Sequence, residues 1–164
     1  MFHVGDKVAH PMHGAGVIDE IVTETVAGTA QDYYVFRMPV GGLTLKIPTA
    51  SGENFGLRGI WDLKRIQQLL KDLSGLEVER FTGSWNQRYR ENMQRLKSGD
   101  LYEVARVMKG LLHRENEKGL STGERKMLRT AKQILISEMA LSTGGEYSEI
   151  EQQVNSAVAG GAKE

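Results

Sequence analysis

Residues 43–75, LTLKIPTASGENFGLRGIWDLKRIQQLLKDLSG, change their periodicity midway, and that change decides the fold. As far as Pro48, Leu43, Leu45 and Ile47 alternate with Thr44 and Lys46, the period-two signature of a strand with one buried face. Beyond Trp61 the apolar residues are Leu63, Ile66, Leu69, Leu70 and Leu73, spaced at i, i+3 and i+4, which is one stripe of a helix that stops near Ser74-Gly75. Between the two periods lies a glycine-bearing bridge at residues 51–59, SGENFGLRG.

Upstream of this switch the sequence is β-like throughout. Strands are expected at residues 6–10, 15–23, 32–38 and 43–48, with Gly or Pro at most breaks and with Val17, Ile21 and Val35 on the buried face. Four or five short strands in under about 60 residues cannot build a large sandwich, so a small, bent antiparallel sheet or partial barrel is the economical solution. No helix falls between consecutive strands, which argues against a parallel βαβ sheet.

Downstream, helices follow one another with legible starts. Ser84 with Gln87, Asp100 with Glu103, and Ser121 with Glu124 each read as a capping box. The helix from Asp100 is expected to bury Leu101, Val104, Ala105, Met108, Leu111 and Leu112, and to stop at Gly119. The helix from Ser121 should bury Met127, Leu128, Ala131, Ile134, Leu135 and Met139. A short last helix near residues 148–158 should dock by Ile150, Val154 and Val158 before the tail GGAKE frays. The fold class is therefore α+β: a small β module at residues 1–56, then an all-helical domain of four to five helices at 57–164, with no internal repeat.

Composition narrows the function. The net charge of zero divides unevenly: residues 1–75 carry 7 basic and 8 acidic side chains, residues 76–140 carry 13 and 9, and residues 141–164 carry 1 and 4. The positive excess belongs to the helices, as in a domain that meets phosphate or in an ordinary solvated helical surface. With no cysteine, disulfides, thiolate metal sites and cysteine nucleophiles are excluded. No signal-peptide pattern opens the chain and no run reaches the roughly 20 apolar residues needed to span a bilayer, so a cytoplasmic protein without membrane contact is expected.

Sequence signs of catalysis are weak. His10 and His13, in AHPMHG, could share a metal with Asp19 or Glu20, but Pro11 and Gly14 mark a turn in which two histidines are harmless. HGAGV lacks the GxGxxG spacing and a following helix, so it does not cradle phosphate. No enzyme, metal, cofactor or small-molecule substrate is expected.

Binding surfaces are better marked. In SWNQRYRENMQRLK (residues 84–97), Trp85, Tyr89, Met93 and Leu96 lie within about 80° of one another around a helix. Periodicity alone favours a core tryptophan. Its place at the first helical position, among Arg88, Arg90, Arg95 and Lys97, also lets it project past the end of the stripe toward nucleic acid. In the β module, Lys46 projects opposite Leu45 and Ile47, the hairpin beginning at Val26 offers a rim, and an edge strand can extend a partner's sheet.

The segments VGDKVAHPMHGAGVI, YYVFRM, LTLKIP, SWNQRYRENMQRLKSGDLYEVARVMKGLL and LSTGERKMLRTAKQILISEMAL together resemble the CarD/CdnL family of bacterial transcription regulators over nearly the whole chain. The first half alone is also similar to the polymerase-interaction module of the transcription-repair coupling factor, but no helicase follows. The resemblance implies a Tudor-like β module that binds the RNA polymerase β subunit, and a helical domain that contacts promoter DNA at the upstream edge of the bubble and stabilises the open complex. It assigns Trp85 as a minor-groove wedge, assisted by Arg88 and Arg90. Gln87 stands where a basic residue is frequent. Of two basic positions that meet the polymerase, Lys46 keeps its charge and Glu24 reverses it. The alternatives from other classes are a free-standing nucleoid or DNA-binding protein and a small metal-dependent enzyme.

Overall fold

The structure is a computed structural model; it describes all residues except 40, 53, 79–82, 163 and 164, and only the backbone of 160–162. It is α+β, with a five-stranded antiparallel sheet followed by helices. The strands are β1 (Lys7–His10), β2 (Gly14–Val26), β3 (Thr29–Arg37), β4 (Thr44–Pro48) and β5 (Arg58–Gly59), ordered β4-β3-β2-β1-β5. The long β2–β3 hairpin turns through Ala27 and Gly28, both at positive φ (51° and 81°), as the tight two-residue turns of twisted hairpins require. β5 comes from the bridge and is only two residues long, too short for any periodicity to reveal.

The module's core is Val8, Ile18, Tyr34, Phe36, Met38, Ile47 and Leu57. This corrects the expected buried face. Val17 and Val35 are only partly buried on the opposite side, and Ile21, although it pairs with buried Tyr34 and shares its face, is 37% exposed. The ladder slips by one residue between Ile18 and Glu20, and this bulge sets Val17 and Ile21 on opposite faces, so an apolar count by twos through β2 mixes the two faces.

The helices are α1 (Leu63–Asp72), α2 (Trp85–Lys97), α3 (Leu101–Lys118), α4 (Thr122–Thr143) and α5 (Tyr147–Ala162). Their shared core contains every residue expected from α4's stripe, and Ile150, Val154 and Val158 of α5. Leu112 is only partly buried; Val107 and Lys109 take its place on α3's inner face. The Lys109 ammonium donates to the carbonyls of Leu73, Ser74 and Leu76 at 3.0, 2.9 and 2.8 Å, which satisfies the C-terminal turn after α1 where a cation is favoured. α5 continues through Gly160 and Gly161 to Ala162, where the tail was expected to fray; the last two residues of that expectation lie outside the described ones.

Two of the three capping boxes form, at Ser84 and Ser121. At α3 the Asp100 carboxylate accepts from the Tyr102 N–H at 2.9 Å, but Glu103 turns instead to Arg106 (2.6 Å) and Arg95 (3.5 Å), since two guanidinium groups outcompete one backbone N–H.

The β module and the helices are joined through α4, which lies against β2. Glu138 of α4 is fully buried, at 0% exposure, and is the centre of the joint. Its carboxylate accepts two hydrogen bonds from the Arg58 guanidinium (2.8 and 2.9 Å) and one from the Trp61 N–H (2.8 Å). Beside it, the Ser137 hydroxyl accepts from the Ala15 N–H at 2.9 Å, and one turn later the Ser142 hydroxyl donates to the Trp61 carbonyl at 2.7 Å. Gly14, at φ 105°, has no room for a side chain here because a Cβ would overlap the Ser137 hydroxyl.

Candidate nucleic-acid and protein interfaces

Helix α2 begins at Ser84, whose hydroxyl accepts from the Gln87 N–H (3.3 Å) while the Gln87 side-chain oxygen accepts from the Ser84 N–H (3.2 Å). The reciprocal cap fixes the first turn and occupies the Gln87 oxygen. Trp85 is the next residue. Its apolar stripe is buried at Leu96, partly buried at Met93 and emerges at Tyr89 and Trp85, which are 38% and 45% exposed. One end of the stripe is thus core and the other surface. The indole stacks on the Tyr89 ring at a centroid distance of 5.3 Å and an interplanar angle of 20°. The benzo edge of the indole faces Gly123 in the first turn of α4, near enough that a Cβ added there would touch it at 3.5 Å.

The basic candidates divide around α2. Arg88, half-buried, flanks Trp85 in the first turn, and its guanidinium points to the Gly83 carbonyl at 3.5 Å. Arg90 is exposed but lies about 140° around the helix from Trp85. Arg95 and Lys97 sit at the other end of α2, roughly 15–18 Å along the axis, and the Arg95 Nε is 3.5 Å from the Glu103 carboxylate. Geometry therefore groups Trp85 with Tyr89 and Arg88, and separates them from Arg95 and Lys97. It also adds a neighbour that sequence reasoning missed: α4 starts beside Trp85 and carries exposed Arg125, Lys126 and Arg129 in its first two turns. The Ser121 cap marked that helix start, but its nearness to Trp85 is a tertiary fact.

On the β module, Lys46 of β4 and Glu24 of β2 share one face of the sheet and form an ion pair across β3. The hydrogen bond to Glu24, and then its charge, raise the Lys46 pKa. Val26 is 48% exposed at the hairpin tip, and β4 is an edge strand.

The histidines come together without a ligand set. The rings of His10 and His13 are 4.6 Å apart, the His10 Nδ1 accepts from the Met12 N–H at 3.1 Å, and partial burial followed by the nearby His13 lowers the His10 pKa from 6.5 to about 4. Asp19 is engaged by Arg37 at 3.4 Å, and no three His, Cys, Asp or Glu side chains gather as a metal site would require among the described residues. No helix among the described residues is long and apolar enough to cross a membrane.

Known proteins divide the chain along the same line. Residues 2–60 match the family model described as the CarD-like/TRCF RID domain, and residues 65–155 match the one described as the CarD C-terminal domain. A Bacillus subtilis (strain 168) protein named putative transcription factor YdeB is 35% identical over 144 residues, covering 88% of this chain and 94% of the relative.

Proposed function

The chain belongs to the CarD/CdnL family of transcription regulators, and on that premise we propose that it holds the RNA polymerase β subunit with its Tudor-like module while its helices stabilise the open promoter complex. The observation that carries the proposal is the exposed Trp85 ring at the first position of a capped helix, beside Arg88 and the basic start of α4. Such a helix start suits the junction of duplex and melted DNA: guanidinium groups and helix N-termini hold phosphates, while a flat apolar ring meets a base at the fork.

The mechanism is a population shift and needs no nucleotide hydrolysis. A factor that touches only the fork of the open state favours that state by its differential affinity. Stacking of an aromatic ring on a base is worth about 1–3 kcal/mol, roughly a fivefold to hundredfold shift toward open DNA. Tethering through the β module raises the local concentration of the helices at the fork, so the modest positive excess of residues 76–140 is sufficient.

For the polymerase contact, the face carrying Lys46 and Glu24, with Val26 at its rim and β4 at its edge, is the candidate. Because Glu24 is paired with Lys46, this face offers a dipole where two like charges would otherwise stand. Co-purification with RNA polymerase, followed by footprinting of the bubble with and without the protein, tests the reading. Retention on polymerase with protection at the upstream fork is expected. Strong duplex binding without polymerase would favour a free-standing DNA-binding protein.

A further inference from the structure

We propose that Trp85 meets DNA as a one-sided stacking platform backed by Tyr89, capping a single exposed base or base pair at the fork, and that Tyr89 is the positioning residue that makes it so. This rests on the reading that Trp85 faces promoter DNA. A ring inserted between two adjacent base pairs must offer both its faces. In this protein one indole face is partly covered by the Tyr89 ring, offset at 5.3 Å and nearly parallel, and the benzo edge faces Gly123, which has no side chain to reach it. Since Trp85 nevertheless remains 45% exposed, the surface it offers is the other face.

The backing follows from helix geometry. Tyr89 is four residues after Trp85, so the two side chains rise on one face of α2, and the reciprocal Ser84–Gln87 cap fixes the turn from which the indole projects. An indole already backed by a neighbouring ring loses less rotamer freedom when a base arrives, which favours binding through pre-organisation. An offset-stacked aromatic pair is also stabilised beyond its buried area. Tyr89 is itself 38% exposed, so the pair is a surface structure and not the top of the core.

The test uses the full chain with polymerase holoenzyme on a weak promoter, and the variants Tyr89→Leu, Tyr89→Phe and Trp85→Ala. Tyr89→Leu should leave polymerase co-purification intact and shorten the open-complex lifetime about two- to tenfold, whereas Tyr89→Phe should keep it near wild type, because the ring and not the hydroxyl supplies the backing. Acrylamide quenching gives a readout independent of DNA: Trp61 is only 6% exposed, so quenching reports Trp85, and its Stern–Volmer constant should rise in Tyr89→Leu alone of the two tyrosine variants. With 2-aminopurine at the first unpaired or the last paired position of a forked promoter, the protein should quench one position and leave its neighbour stacked. Perturbation of both positions, indicating insertion, overturns the platform. So does a Tyr89→Leu lifetime equal to wild type while Trp85→Ala shortens it. If Trp85→Ala leaves the lifetime unchanged, it is the assignment of Trp85 to DNA that fails.

Discussion

Glu138→Ala removes the carboxylate that joins the two halves of the molecule, and the size of its effect can be worked from the three bonds it accepts. Arg58 loses a bidentate partner and the buried Trp61 N–H loses its only acceptor among the described residues. Breaking a buried pair typically costs about 3–5 kcal/mol, and an orphaned buried N–H about 1–3. The Arg58 side chain is 26% exposed, so water recovers part of its loss, and about 3 kcal/mol is a reasonable net figure. For a chain of 164 residues this lowers Tm by about 6–12 °C. Urea denaturation followed by circular dichroism should show the same loss as a lower midpoint. The double variant Arg58→Met/Glu138→Leu should be less destabilised than Glu138→Ala, because no charge is then left unpaired. A Glu138→Ala protein melting within about 2 °C of wild type would refute the joint as a source of stability.

Other perturbations address the sheet. His10 is neutral in the folded protein to about pH 4 but has its ordinary value of 6.5 when unfolded, so its contribution is complete above pH 6.5 and is lost as pH falls toward 4. For a half-solvated ring this is on the order of 1 kcal/mol, and His10→Asn should flatten the stability profile between pH 4 and 6.5; an unchanged slope there would remove His10 from the account. Lys46→Glu sets two carboxylates side by side on the proposed polymerase face and should reduce co-purification with polymerase, while the exchange Glu24→Lys/Lys46→Glu rebuilds the ion pair with reversed polarity. Equal retention of wild type and Lys46→Glu would mean that the polymerase meets another surface.

The change from strands to helices was legible because its signals are local. A period of two giving way to 3.6, the side-chain caps at Ser84 and Ser121, and the glycine stop at Gly119 need no tertiary information. What escaped depends on partners distant in sequence. A bulge after Ile18 reverses the faces of β2, two residues at Arg58–Gly59 add a strand only because β1 is there to pair with them, and Glu103 leaves its cap for arginines on its own and a neighbouring helix. Glu138 and Lys109 interrupt apolar stripes, a visible sign that a buried charge has a partner, but the partners Arg58 and the Leu73–Leu76 carbonyls lie 80 and about 35 residues away. The candidate DNA surface was half-legible for the same reason. Trp85, Arg88 and their helix start could be read along the chain, whereas Gly123 and the basic first turns of α4 join them only on folding.

The central claim is that an exposed indole at the start of α2 holds promoter DNA open, and the lifetime of the open complex formed by polymerase holoenzyme with wild-type protein or Trp85→Ala tests it most directly. The variant removes a half-exposed ring from the surface, so folding and polymerase co-purification should be preserved. The lifetime on a weak promoter should fall at least about fivefold, the lower bound expected for one lost stacking contact. A Trp85→Ala protein that binds polymerase and sustains the wild-type lifetime would contradict the account.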